Sequence, residues 1–250
     1  GINQRIYSKS YRKYAGKYNL YFYGTVNCES GTVTVATLEI NFAKEEAVTM
    51  KIATSEGGEK LYYGDLQISE MSPNVFIVLN SDFGEQVSLT FYDEPMNCET
   101  FQCAVGAMLS ISAGDLKRAP VLNRFIITGY DVDEAHMKFI KAHLKLNTKY
   151  IDISPEMIST SVEGVFGKCE MADRITDRLK KAFYSKRYYA IEDSFIVNTL
   201  RKDENLSLRQ ADELIAELRN NSLSNINFKI NKSLDSTVYR CTNPKNISQE

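Results

Sequence analysis

Short runs of alternating apolar and polar residues dominate the first half of the chain. In the stretch 74–92, two such runs flank a loop that carries Asp82 and Gly84. In the second run, apolar residues occupy every other position from Val87 to Phe91. An alternation of period two around a turn predicts a β-hairpin with one buried face and one wetter face.

The same pattern recurs on both sides of this hairpin. Eight strands are predicted at 18–24, 31–40, 47–54, 60–69, 74–80, 86–92, 101–111 and 121–129. The connections are short and rich in Gly, Pro, Asn and Asp, and no helical stripe interrupts the series. Sequential strands with short turns favour an antiparallel meander, and closing it into a barrel would remove its two exposed edges.

Two of the predicted strands need a specific interpretation. In the second, Val33 and Val35 are out of phase with Leu38 and Ile40, which predicts a β-bulge at 36–37. In the seventh, apolar residues occupy every other position, which predicts that this side of the strand faces the core. These residues are Phe101, Cys103, Val105, Ala107, Leu109 and Ile111. Cys103 is accordingly expected to be buried and unreactive.

The period changes to a helical one after Gly129. Helices are predicted over 131–146, from Ser154 with Pro155 at its first position, along 171–183, over 192–200, and after a capping box at 207–210. Two short strands, at 225–230 and 237–241, follow these helices. The predicted fold class is therefore α+β. An eight-stranded antiparallel barrel with an N-terminal clasp, a short amphipathic helix within 5–14, is predicted at 1–130, and a mainly helical domain ending in a short hairpin at 131–250.

Composition narrows the classes of function. The chain has 250 residues, 43% hydrophobic and 25% charged, with a net charge of −2. This balance predicts a folded protein without a general attraction to nucleic acid or membrane. The five cysteines have irregular spacing, which favours free thiols in the cytoplasm, with a Cys98–Cys103 bridge as the alternative.

An eight-stranded meander entered through Gly16-Lys17-Tyr18 resembles the calycin superfamily of lipocalins and their relatives. The resemblance covers 18–129. It implies that Tyr18 takes the place of the family tryptophan and that Arg124, on the last strand, stacks on its ring. It also implies a small-molecule ligand in or at the mouth of the barrel, at a site formed by Tyr18, Phe22, Tyr62, Phe91 and Arg124.

A second hypothesis arises from the predicted helix at 171–187, which is rich in basic residues. As a nucleic-acid-binding stripe it would use Arg174, Arg178, Lys181, Lys186 and Arg187. Asp173 and Asp177 lie among these cations, so a solvated face with intrahelical ion pairs is favoured. The element order over 192–241 is also that of a winged helix, although no basic loop marks a wing.

Motifs of catalysis are missing from the sequence. His136 and His143 are seven residues apart, whereas helical metal pairs are usually three or four apart, so no metal site is predicted. Paired acids fall at turns and helix starts, although a dispersed carboxylate pair of a hydrolase stays open as a third hypothesis. The sequence thus predicts a non-enzymatic ligand-binding or sensory module without a cofactor, and leaves its oligomeric state undetermined.

Overall fold

The computed structural model of the protein contains an eight-stranded antiparallel barrel, a set of helices and a two-stranded antiparallel sheet. It describes residues 9–25, 32–54, 57–69, 71–92, 100–112, 118–146, 150–183, 189–223 and 228–229. The predicted α+β fold class is confirmed. The second predicted C-terminal strand, 237–241, lies outside the described residues.

The barrel is a closed meander. Its strands are β1 Gly16–Tyr23, β2 Val33–Ile40, β3 Val48–Ala53, β4 Glu59–Ile68, β5 Asn74–Asn80, β6 Gln86–Tyr92, β7 Cys103–Ile111 and β8 Pro120–Thr128. Each strand pairs antiparallel with the next in sequence. The sheet closes because β1 also pairs with β8, from Asn19 opposite Thr128 to Phe22 opposite Phe125.

Large apolar side chains fill the inside of the barrel. Leu20, Leu38, Met50, Ile77 and Leu89 each come from a different strand, and each is at most 1% exposed. Full burial of such a side chain contributes about 1.5–3 kcal/mol. Because these residues sit on alternate positions of their strands, the packed interior explains why the period-two pattern locates the strands so well.

Two sequence expectations about strand phase are wrong. The pairing of β1 with β2 is continuous from Tyr23–Val33 to Gly16–Ile40, so β2 has no bulge, and Val35 lies on the outer face, 47% exposed. In β7 the inward positions are Ala104, Gly106 and Met108, whereas Val105, Leu109 and Ile111 are exposed. Position 106 carries no side chain because the ring of Phe125 takes up the space next to it.

Cys103 lies on this outer face and not in the barrel interior. It is partly buried and packs beside a small apolar cluster between the barrel and the first helix after it. The expectation of a fully buried thiol is therefore wrong. Neither Cys103 nor Cys169 forms a disulfide among the described residues, and Cys98 lies outside them.

The helical part follows β8. Its elements are α2 Met137–Leu144, α3 Pro155–Phe166, α4 Glu170–Phe183, α5 Asp193–Phe195, the π-helical segment Ile196–Leu200, α6 Arg201–Asp203 and α7 Leu208–Asn220, with α1 Lys9–Arg12 preceding the barrel. Strands β9 Tyr150–Ile153 and β10 Tyr189–Glu192 pair antiparallel. The predicted capping box starts α7, since Ser207 and Gln210 bond each other's backbone N–H groups at 3.1 and 2.9 Å.

The helices have an apolar core of their own, which includes Ile153, Leu179, Ile191 and Leu214. A third cluster joins the two parts, because Ile140 and Leu144 of α2 pack on Tyr21, Tyr23 and Ile126 of the outer barrel face. Tyr23 Oη also donates a hydrogen bond to the carbonyl oxygen of Lys141 at 3.0 Å. The division at residue 130 stays a prediction, although the cores on its two sides are distinct.

A further strand, β11 Phe228–Lys229, returns to the barrel. It pairs with β8 at Leu122 and Val121, next to the stretch of β8 that pairs with β1. The first predicted C-terminal strand therefore extends the sheet of the barrel, a placement that the sequence did not indicate.

Gly106 tests how tightly the barrel is packed. A Cβ at this position would lie 2.4 Å from the carbonyl oxygen of Thr90 and 2.5 Å from the Phe125 ring. We expect Gly106→Ala to lower the free energy of unfolding by about 1–3 kcal/mol, as overpacking does. Urea denaturation measures this change.

The matched control is Gly164→Ala on the exposed face of α3, where an added Cβ meets no heavy atom within 4 Å. That change should raise the unfolding free energy by up to about 1 kcal/mol, since alanine favours a helix over glycine. Equal effects of the two substitutions would show that the Phe125 ring does not fill the barrel at Gly106.

Candidate functional site

One end of the barrel is closed by the N-terminal segment. Tyr14, just after α1, is fully buried, and its backbone carbonyl accepts a hydrogen bond from Tyr18 Oη at 2.8 Å. Tyr11 Oη accepts a hydrogen bond from the Ile68 backbone N–H at 3.1 Å. These contacts tie the segment to β1 and to the end of β4, so this end of the barrel is sealed.

Aromatic rings continue from this seal into the interior. The Tyr14 and Phe101 ring centroids are 5.1 Å apart, those of Phe101 and Phe91 5.4 Å, and those of Phe91 and Phe125 6.1 Å. Such tilted and edge-on pairs stabilise beyond simple burial. The sealed half of the barrel is therefore occupied by protein side chains.

The opposite end, where the even-numbered strands begin, carries a charged cluster. Glu85, just before β6, accepts a hydrogen bond from Tyr62 Oη at 2.7 Å and pairs with Lys60 Nζ at 3.3 Å. Arg118, just before β8, pairs with the other carboxylate oxygen of Glu85. The Glu85 side chain is 15% exposed, compared with 36% for Lys60 and 50% for Arg118. Two cations thus share one half-buried carboxylate.

The electrostatics agree with an ionised Glu85. Burial alone would raise its pKa, but hydrogen bonds from Tyr62 and Lys60 and the charges of Lys60 and Arg118 hold this pKa below its ordinary value. Burial and the bond to Glu85 raise the pKa of Tyr62, so its hydroxyl stays a proton donor. The cluster is a fixed set of charges at physiological pH.

A buried amide lies inside the barrel near the same end. Asn123 is 1% exposed, and its Nδ2 donates to the Tyr23 carbonyl at 3.3 Å. Its Oδ1 is buried and has no hydrogen-bond partner among the described residues. A buried acceptor without a donor is costly, so this oxygen is a natural contact for a donor group on a bound molecule or water.

The structure places four of the five predicted ligand-binding residues inside the barrel and the fifth on its outer face. Tyr18, Phe22, Tyr62 and Phe91 all belong to the inner core of the barrel. Arg124 does not, because its neighbour Phe125 points inward and Arg124 lies on the outer face. There it donates to the His143 carbonyl of α2 at 3.4 Å.

The predicted stacking of Arg124 on Tyr18 is therefore wrong. The first and last strands do pair, as closure requires, but the two side chains lie on opposite faces of the sheet. Burial and the nearby charge of Arg219 lower the pKa of Arg124. Its role is to join the barrel to the helices.

The basic helix α4 has counter-charges from another element. Arg178 pairs with Asp203 at 2.5 Å and with Glu204 at 3.4 Å, and Arg174 pairs with Glu204 at 3.3 Å. The favoured ion-paired interpretation predicted partners within the helix, whereas the partners lie around the end of α6. Lys181 is exposed, and Lys186 and Arg187 lie outside the described residues.

The histidines do not form a metal site with their neighbours. No group of three or more metal-ligating side chains occurs in the described parts of the chain. His136 bonds Asp133 at 2.6 Å, and His143 bonds the Phe139 carbonyl at 2.8 Å. In the part of the chain that the structure describes, no helix is long and apolar enough to cross a membrane.

Lys60, Glu85, Arg118 and Asn123 are functional candidates that the sequence did not single out. Each sits in or beside a strand as an ordinary polar residue, and the four come together only when the strands close. The one indication in the sequence was the alternation of the strands, which places Lys60, Tyr62 and Glu85 at positions that face the barrel interior.

Comparison with protein-family models, curated proteins and solved structures finds no match to this chain. The protein is therefore classified by its fold alone, a closed eight-stranded antiparallel β-barrel followed by helices. This architecture is consistent with the calycin-like barrel that the sequence resembles.

Glu85 should make the protein's stability depend on pH. Its pKa is lower in the folded than in the unfolded chain. Its contribution to the free energy of unfolding is therefore complete when the pH is above the pKa of the unfolded chain, about 4.3. That contribution is lost as the pH falls through the pKa of the folded chain. We expect Glu85→Gln to lower the melting temperature at pH 7 and to have a smaller effect under acidic conditions.

Tyr62→Phe removes the hydrogen bond to Glu85 and leaves the charge of Glu85 in place. Loss of the bond to Glu85 should cost about 1–3 kcal/mol of unfolding free energy at pH 7, as for a bond to a charged group. Tyr63→Phe, at the outward-facing neighbour, is the control and should be nearly neutral. A Glu85→Gln effect that does not change with pH would contradict the ion-paired cluster.

The arginines of α4 should contribute moderately to stability and nothing to nucleic-acid binding. Changing Arg174, Arg178 and Lys181 together to Gln should cost at most about 1 kcal/mol at the exposed Asp203 and about 1–3 kcal/mol at Glu204, whose side chain is 10% exposed and loses both partners. We expect fluorescence anisotropy to show no binding of the unmodified protein to duplex DNA at salt concentrations of about 50–200 mM. Micromolar binding that weakens with salt in the unmodified protein, and weakens again in the triple variant, would refute this expectation.

Proposed function

We propose that the protein is a non-enzymatic ligand-binding module of calycin type that holds a small amphipathic anion at the mouth of its barrel. The observation that carries this proposal is the charged cluster, in which Lys60 and Arg118 share the single carboxylate of Glu85. Within that cluster one positive charge is left in excess. An anionic group on a ligand would balance it.

Apolar side chains directly beneath the cluster support an amphipathic ligand. Ile52 lies opposite Lys60, Met50 lies opposite Tyr62, and Val87 is two positions after Glu85. An apolar stem would pack against these residues while its anionic end faced the two cations. The unpartnered Oδ1 of Asn123 offers one acceptor nearby for a donor group.

The filled interior favours the mouth over the centre. An eight-stranded barrel is just wide enough for its own side chains or for one small ligand. Here the rings of Phe91, Phe101 and Phe125 occupy the sealed half. The end where the charged cluster lies is therefore the better place for a ligand.

A sensory role needs a connection from the barrel to the helices, and Tyr23 supports one. Its backbone carbonyl accepts the bond from Asn123 inside the barrel, while its hydroxyl donates to Lys141 of α2 on the outside. A ligand that bonded Asn123 would act one residue away from the surface on which α2 packs. This contact is the physical basis of the proposed coupling.

Octanoate is a suitable probe, since it joins a seven-carbon alkyl stem to one carboxylate. We expect octanoate to bind with chemical-shift changes in β3, β4 and β6. Lys60→Gln and Arg118→Gln should each weaken binding by about fivefold, the value of one exposed ion pair of about 1 kcal/mol. Titration followed by NMR measures both the site and the affinity.

Lys51→Gln is the matched control, because Lys51 is an exposed lysine on the outer face of β3. Glu85→Gln should tighten octanoate binding, since it removes the carboxylate that competes for the two cations. Octanoate binding that neither Lys60→Gln nor Arg118→Gln changes would refute the proposal.

A further inference from the structure

A cleft of about 790 Å³ lies in the helical part, away from the barrel mouth. Three helical segments line it: α2, the segment that runs from α5 into the π-helix, and α7. The lining residues are His136, Phe139, His143, Asp193, Val197, Leu208, Arg209, Asp212 and Ile215. The volume is within the range of small-molecule sites, about 300–1,000 Å³.

The wall that contains Val197 is π-helical over Ile196–Leu200. A π-helical turn is less favourable than an α-helical one and occurs often at functional sites. Apolar residues from all three segments complete the surface, and Leu208 is 55% exposed there. The cleft therefore presents apolar surface from each of its three walls, as small-molecule sites do.

The polar groups of the cleft are mainly acceptors. A backbone carbonyl can only accept, so His143 Nδ1 carries the proton that it donates to Phe139, which leaves Nε2 as an acceptor in the neutral ring. The bond between His136 Nδ1 and the Asp133 carboxylate leaves His136 in the same tautomer. Asp212 is an exposed carboxylate that has no hydrogen bond or ion pair among the described residues.

Each cation around the cleft has a carboxylate partner, and two of them share one carboxylate. Arg209 pairs with Glu213 at 3.3 Å, and Lys138 pairs with the same carboxylate at 3.9 Å. The buried Arg219 pairs with Asp193 at 2.5 Å and holds that side chain at the cleft wall. The acceptors that remain for a ligand are the Asp212 carboxylate, the buried Asp193 Oδ1, which has no hydrogen-bond partner among the described residues, and the two imidazole nitrogens.

From these contacts we infer that the cleft binds an amphipathic amine, in which a primary ammonium group is carried on an apolar stem. The ammonium group would donate to Asp212 and to a histidine Nε2, and the stem would lie on Phe139, Val197 and Leu208. Two sources share this chemistry, a free alkylamine and a lysine within an apolar protein segment. The inference is independent of the anion proposed for the barrel.

Octylamine and a short peptide of leucines around one lysine are the two probes. Octylamine should change the NMR shifts of α2, of the π-helical segment and of α7. Asp212→Asn should weaken its binding by about fivefold, as expected for one exposed charge pair. Tighter binding of the peptide would identify a protein segment as the source, and weaker binding would identify a free amine.

Asp177→Asn is the matched control, because Asp177 is an exposed aspartate on α4, outside the cleft. It should leave octylamine binding unchanged. Three results would overturn the inference: no octylamine shifts in the cleft, equal affinity of Asp212→Asn and the unmodified protein, or octanoate binding in the cleft as tightly as octylamine. Because both variants change exposed residues, both should fold.

Discussion

The hydrogen bonds between β1 and β8 are the constraint on which the rest of this structure depends. They remove the two edges that an open eight-stranded meander would expose. In the closed sheet the inward-facing side chains turn toward one another, and at one end they include Lys60, Glu85 and Arg118. Glu85 lies there two strands away from each of the two cations.

Closure also builds the surface that carries the helices. Tyr21 and Tyr23 of β1 and Ile126 of β8 stand side by side on the outer face only because these strands pair. Helix α2 packs on them, and its other side lines the cleft with His136, Phe139 and His143. One helix therefore contacts both the barrel and the second proposed site, and any movement of α2 on the barrel would alter the cleft.

Much of the fold could be predicted from the sequence, because alternating apolar positions and turn residues are local features. The eight strands, their antiparallel order and the capping box of α7 all follow from patterns within short stretches. The phase of β7 could not be predicted. Both of its faces carry apolar residues, and the inward one is defined by Gly106, which makes room for a ring from β8.

The candidate site was harder to predict than the fold. Arg124 was placed inside by the family resemblance, yet the inward position of Phe125 next to it turns Arg124 to the outer face. Lys60, Glu85 and Arg118 are far apart in sequence, and their ion pairs reach across strands that lie between them in the sheet. Asn123 stands out because one of its buried atoms lacks a partner, which only coordinates can reveal.

A crystal structure of the protein grown with octanoate tests the central claim most directly. We predict electron density for the carboxylate between Lys60 and Arg118, with the alkyl stem directed toward Ile52 and Val87. Density elsewhere on the protein, or a mouth that holds only water while the rings of Phe91 and Phe125 fill the interior, would contradict it.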